Sequence, residues 1–182
     1  YEFGVFTGSS FVSAIRSHKK TRFLGDIETD FFGFDSFKGF GDFSKGDVHS
    51  FYMNDTFTTD ENKVRSFIKR RSKGVRFKII SGFFEDTLRN RTCTELSKKK
   101  ARIVFIDCDL KSSTKLALDY VKPALQEGTI IIMDDFFSYK GDEEKGVAGA
   151  FFEFCKKYRN ISFRDIFHYG YGGVAYIVSK VR

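Results

Sequence analysis

Short apolar runs alternate along this chain with stretches in which apolar residues recur at helical spacing, and that alternation predicts the architecture. Glu2 to Phe6 reads as a first strand, and Gly8-Ser9-Ser10 opens a helix to about His18. Phe31 to Asp35, Val75 to Ile80, Ile103 to Asp107 and Thr129 to Met133 read as further strands, the last two as β-branched runs of the kind buried in parallel sheets. A helix is predicted from Asp60, a plausible N-cap, to Arg71. Another, capped by Ser112-Ser113-Thr114, carries Leu116, Leu118, Val121 and Leu125; Pro123 within it predicts a kink or an early end, and Gly128 closes it. After a last helix to about Tyr158, Ile161 to His168 and Gly173 to Ser179 flank Tyr169-Gly170-Tyr171-Gly172, the signature of a closing hairpin. Strand and helix in alternation argue for a doubly wound, mostly parallel α/β sheet in one domain spanning residues 1–182.

Two loops interrupt the pattern. The first, Ser36 to about Thr59, is polar and carries Gly39, Gly41 and Gly46; its length predicts a functional loop or lid. The second runs from Phe136 to about Glu144.

The chemistry concentrates where two strands end. The run Ile103 to Ile106 delivers Asp107-Cys108-Asp109, and Ile130 to Met133 delivers Asp134-Asp135. Open α/β sheets bind ligands outside the carboxyl ends of their strands, and carboxylates gathered there repel one another unless a cation or protons neutralise them. A hard-metal site is the expectation. Capping of helices and pairing with Lys111 or Lys115 is the competing explanation for the same acids.

The net charge is +7, carried partly by two runs: Lys69-Arg70-Arg71 with Lys73 and Arg76, and Lys98-Lys99-Lys100 with Arg102. Both precede a strand at a helix end, where cations complement the helix dipole and stay solvated. With no nucleic-acid-binding motif, nucleic acid is disfavoured as a partner. No apolar run approaches a membrane span, and three widely spaced cysteines predict free thiols and a cytoplasmic location. The 24 phenylalanines are read mainly as core. The chain starts at Tyr1 inside an apolar stretch, which predicts a missing upstream segment; a homo-oligomer is left open.

Three turns complete the candidate site. In Glu2-Phe3-Gly4-Val5-Phe6-Thr7-Gly8-Ser9-Ser10, Gly4 and Gly8 would let a ligand approach the backbone at a helix N-terminus, although the dinucleotide fingerprint is absent. Asp35 ends the second strand, where a doubly wound fold places the acid that binds ribose hydroxyls; a helix or turn cap is the alternative. Gly82 and Phe83 follow the third strand and are expected to line an adenine pocket, with Glu85 or Asp86 near its amino group.

These segments, with Gly33-Phe34-Asp35-Ser36-Phe37-Lys38-Gly39, Asp107-Cys108-Asp109-Leu110-Lys111-Ser112-Ser113-Thr114 and Ile131-Ile132-Met133-Asp134-Asp135, occur in an order that resembles the macrocin-type (TylF-like) sugar O-methyltransferases over nearly the whole chain. The resemblance implies a Rossmann-like class I methyltransferase fold, with a seven-stranded sheet whose last strand alone is antiparallel. It implies S-adenosylmethionine bound by Glu2, Gly4, Thr7, Gly8, Ser9, Asp35, Ser36, Gly82, Phe83 and Asp107. It also implies Mg²⁺ on Asp107, Asp134 and Asp135, and a small-molecule hydroxyl acceptor, sugar or glycoside. His168 is the candidate base by analogy with the family. Lys111, where the family usually has Tyr, is the other candidate, as in catechol-type enzymes. The family's upstream segment, which covers the site, has no counterpart in this chain.

Two rival functions remain. A catechol- or caffeoyl-type enzyme acting on an aromatic diol shares the metal logic and suits the phenylalanines between Phe37 and Phe57. A non-catalytic or RNA-associated Rossmann domain suits the positive charge but conflicts with the acid clusters.

Overall fold

The computed structural model describes residues 1–25, 27–43, 47–53 and 56–182; Gly46 of the expected glycine-rich loop lies outside them. Its strands are β1 (Glu2–Phe3), β2 (Asp30–Asp35), β3 (Arg76–Ser81), β4 (Ile103–Ile106), β5 (Ile130–Met133), β6 (Ile161–Tyr169) and β7 (Gly173–Val181). Its helices are α1 (Ser9–Thr21), α2 (Glu61–Arg71), the single turn α3 (Phe84–Thr87), α4 (Lys111–Val121) and α5 (Gly146–Lys157). The strands form one sheet in the order β3-β2-β1-β4-β5-β7-β6. β1 to β5 pair in parallel, whereas β7 runs antiparallel to both β5 and β6, as the resemblance and the hairpin signature implied. The order reverses at β1, between β2 and β4, so the crevice for a ligand opens at the carboxyl ends of those strands.

The helices cover both faces. Phe11, Val12 and Ile15 of α1 and Val64 and Ile68 of α2 bury one apolar stripe each, with Val5, Phe37 and Ile79. Gly33 is required beneath them, because a Cβ there would lie 2.8 Å from Ile79 and Val5 and 3.0 Å from Phe11. On the other face α4 and α5 cover Phe3, Val104, Ile106, Ile131 and Met133. The rings of Phe3 and Phe34 stack at 4.8 Å, and Tyr120 of α4 meets both edge-on. The abundant phenylalanines are thus partly core, as expected. A second set lies around the ligand crevice.

Local departures from expectation have physical causes. β1 stops at Phe3 rather than Phe6, because Gly4 turns the chain at φ +95° and Asp35 captures the next two backbone N–H groups. The α2 N-cap forms as expected, Asp60 accepting from the Lys63 N–H at 3.1 Å. α4 ends at Val121, and Pro123 sits in a 3₁₀ turn, Lys122–Ala124, which is the early end the proline predicted. The expected Ser112-Ser113-Thr114 cap is not formed: the helix begins at Lys111 after Leu110, and no side chain of the cap residue bonds its N-terminus. Asp47, fully buried in the first long loop, takes that role by accepting from the Ser112 N–H at 3.1 Å. All three cysteines are free, and among the described residues no helix is long and apolar enough to cross a membrane.

Candidate active site

One cavity of about 270 Å³ opens at the carboxyl edge, where the ends of β1 to β5 converge. Asp107 at the end of β4 and Asp134 and Asp135 at the end of β5 face it. The β4–β5 register pairs Ile106 with Met133 and so brings the following residues side by side. Each of the three carboxylates offers an oxygen within 4.8 Å of the others, all half-buried. Asp109 lines the same cavity, so all four acids singled out in the sequence meet.

Their electrostatics show what the cluster lacks. Burial, then the charges of Asp134, Asp135 and Asp35, pushes Asp107 up to about 7. Burial first, and then Asp135, raises Asp134. Asp109 rises through burial, its hydrogen bond with Asp135 and the surrounding negative charge. Among the described residues no lysine or arginine lines this cavity to offset them. Burial, then the charges of Asp134 and Asp107, raises the phenol of Tyr169, which sits beside the cluster. A compact set of oxygen donors with unbalanced negative charge fits a hard divalent cation, for which such carboxylates are the usual ligands.

Glu2 is the second buried acid, 5% exposed on β1. Its carboxylate accepts from Ser10 Oγ at 2.7 Å, yet burial lifts it to about 8 against that hydrogen bond. For Glu2 and Asp107 alike, the native state binds the proton more tightly than the unfolded chain does. Stability from these groups is therefore highest below the unfolded values, 4.5 and 3.8, and falls as pH rises toward 8. The metal-free protein should thus lose Tm between pH 5 and pH 8 in a thermal-shift titration. Glu2→Gln, which can keep an acceptor for Ser10, should flatten that loss, and Mg²⁺ should raise Tm more at pH 8 than at pH 6, since it competes with protons. An unchanged slope in Glu2→Gln would refute the assignment.

The cofactor-side residues divide into those that line the cavity and those that support it. Gly4, Asp35, Ser36, Phe83 and Asp107 line it, as does Glu85, while Asp86 does not. Gly4 lies against β4 so closely that a Cβ would stand 1.7 Å from the Asp107 carbonyl oxygen. Asp35 accepts from the Val5 and Phe6 N–H groups through Oδ2, both at 2.7 Å, and from the Phe37 N–H through Oδ1 at 2.6 Å. It therefore fixes the β1 turn, as the turn-cap reading expected, and Oδ1 retains acceptor capacity toward the cavity. Glu2, Thr7, Gly8, Ser9 and Gly82 do not line the cavity. Gly8 caps α1 at φ +80°, and Thr7 and Ser9 join hydroxyls at 3.0 Å beside that N-terminus.

The structure brings neither predicted base to the cavity. The Lys111 ammonium donates to the Glu144 carbonyl and pairs with Glu153 Oε1, both at 2.6 Å, which turns it toward α5. Lys111 and Lys115 together hold Glu153 down to about 2. His168 lies exposed on edge strand β6 with its ring 5.7 Å from Phe137. Lys111→Met and His168→Asn are each expected to keep turnover within about threefold of wild type. Asp109→Asn should lower it by at least about 10²-fold. Parallel initial-rate assays decide between them.

Several site residues escaped the sequence pattern. Phe6 and Phe57 meet edge-on at 5.5 Å, Phe40 packs on Phe57 at 5.5 Å, and all three line the cavity. Phe6, Phe57, Asp109 and Asp135 are four of the seven non-glycine residues at positive φ among the described residues. Such conformations are costly for bulky side chains and gather where function over-determines the backbone. From the first loop Tyr52 also approaches: burial raises its phenol, with the Ser138 hydrogen bond opposing and Asp109 and Asp135 adding to the rise.

The sheet order, the antiparallel end and this cleft define the class I S-adenosylmethionine-dependent methyltransferase fold. Residues 1–136 match the methyltransferase domain family, and the chain belongs to it: this protein is a methyltransferase. Comparison with curated protein sequences finds no match. Among solved structures it is similar to the O-methyltransferase NovP, at 21% identity and a TM-score of 0.71, over 98% of this chain and 71% of that one. It is also similar to CalS11, a calicheamicin methyltransferase (18%, TM-score 0.68, covering 97% and 70%). A third is an O-methyltransferase from Bacillus cereus in complex with SAH (16%, TM-score 0.62, covering 98% and 72%). At these identities the likeness establishes the fold.

Proposed function

We propose that this chain is a Mg²⁺-dependent O-methyltransferase of the macrocin type, acting on a hydroxyl of a sugar, glycoside or similar polar small molecule. The observation that carries the reading is the triad Asp107, Asp134 and Asp135, whose oxygens lie within 4.8 Å of one another in the cavity that Gly4, Asp35, Ser36 and Phe83 also line. The solved relatives named above support transfer to oxygen, and CalS11 is a TDP-rhamnose 3'-O-methyltransferase.

In this reading Gly4, Asp35, Ser36 and Phe83 hold S-adenosylmethionine, Glu2, Thr7, Gly8, Ser9 and Gly82 support the turns around them, and the triad holds the metal. When bound, S-adenosylmethionine supplies an electrophilic methyl, and Mg²⁺ lowers the pKa of a hydroxyl placed against it. The remaining work belongs to the chain. Asp109, ionised once a cation on the triad offsets the negative charge around it, would accept the hydroxyl proton: it faces the cavity, and no side-chain bond commits it to capping α4. Phe6, Phe40 and Phe57 exclude water from one wall and position the acceptor for in-line approach.

That aromatic wall also favours a second reading, an aromatic diol as acceptor. Calorimetry tests the shared part of both. S-adenosylhomocysteine and Mg²⁺ are each expected to bind the wild-type chain, and Asp107→Asn should weaken the metal by more than about tenfold. Absence of S-adenosylhomocysteine binding would sink both readings.

A further inference from the structure

We infer that His49 is a positioning residue that fastens the segment 47–53 over the acid cluster and, through Ser138, orients Asp135. The inference rests on the metal reading above for its consequence, but its geometry stands alone. His49 Nε2 faces the carbonyl oxygen of Ser138 at 3.1 Å. A carbonyl only accepts, so Nε2 carries the proton. Nδ1 then accepts the Phe51 N–H at 3.3 Å. With both ring nitrogens engaged in the neutral tautomer, His49 has no nitrogen left to take a substrate proton. It acts as a clasp.

What it clasps matters. Ser138 Oγ donates to Asp135 Oδ1 at 2.8 Å, so the residue held by its carbonyl also orients one carboxylate of the triad. The His49 ring lies 4.8 Å from Tyr139 on that same turn and 4.6 Å from Tyr52. Two residues back, Asp47 ties the segment a second time. Its carbonyl accepts from Tyr139 Oη at 2.8 Å, and its carboxylate holds the Ser112 N–H at the start of α4. Helix capping explains Asp47 alone. It does not explain a histidine reaching 89 positions along the chain to grip the turn that follows Asp134 and Asp135. The segment and the turn form one unit, so metal affinity and the ordering of 47–53 are coupled reciprocally.

Hydrogen exchange and calorimetry on wild type, His49→Ala and His49→Gln test this, with Mg²⁺ and S-adenosylhomocysteine as probes. In metal-free His49→Ala, amides of 47–53 and 135–139 should exchange at least about tenfold faster, with α1 and α2 unchanged. Mg²⁺ should bind about tenfold more weakly, as supporting residues of metal ligands do when lost, while S-adenosylhomocysteine affinity stays within about twofold. His49→Gln, which retains a donor for Ser138, should recover part of both effects. Unchanged exchange at 135–139 in His49→Ala, or no recovery in His49→Gln, would overturn the clasp. If His49→Ala fails to fold, the His49→Gln comparison with wild type decides. Should wild type bind no Mg²⁺, the metal reading fails while the exchange data still judge the clasp.

Discussion

Asp134→Ala is expected to lower methyl transfer by at least about 10³-fold, with S-adenosylhomocysteine affinity within about threefold of wild type. The split follows from the geometry. Asp134 contributes one of three oxygens that converge within 4.8 Å, on the β5 side of the cavity, away from the turns after β1 and β2 that carry the cofactor residues. Removing it leaves two carboxylates, too few to hold a divalent cation tightly. It also removes one of the charges that hold Asp107 up, so Asp107 should titrate lower in the variant, an effect observable by NMR. Asp134→Ala retaining Mg²⁺-dependent transfer would refute the triad.

The largest structural effect is expected from Gly4→Ala. Its Cβ would stand 1.7 Å from the carbonyl oxygen of Asp107, the residue just past β4 whose N–H is tied to the Phe3 carbonyl at 2.8 Å, and φ is +95°. Neither side can yield without breaking the sheet at its centre. A loss of more than about 3 kcal/mol is expected, or about 10 °C in Tm. Gly74→Ala is the control: φ there is +78°, but nothing lies within 4 Å of the added carbon. It should cost only the conformational preference, about 1 kcal/mol. Equal losses in the two variants would show that strain, not contact with β4, governs position 4.

The contrast between what could and could not be read from the residues has a physical basis. Asp107, Asp134 and Asp135 were legible because a β-branched run fixes a strand, the strand end fixes an edge, and parallel winding sets neighbouring ends side by side. Asp35 was legible as a site residue for the same reason, although its three backbone hydrogen bonds depend on how the β1 turn folds. Lys111 follows the acid motif directly, but its direction is set by Glu153, which only the packing of α4 on α5 brings near. His168 falls on an edge strand whose side chains from Arg164 to His168 are all exposed. His49, Tyr52 and Phe57 lie in a loop without periodicity, where position comes from contacts with the 135–139 turn and with Phe6 and Phe40. The aromatic spacing in that loop was the one available signal, and it was compatible with core packing.

In the proposed reaction the acid triad serves metal-assisted transfer of a methyl group to oxygen. The most direct test presents S-adenosylmethionine labelled in its methyl group, with panels of glycosides and catechols, to the wild-type chain with Mg²⁺ and with EDTA, and locates the label by NMR. The expected result is label on a hydroxyl oxygen, lost in EDTA and restored by Mg²⁺. Label transferred equally well in EDTA, or carried on nitrogen or carbon, would contradict it.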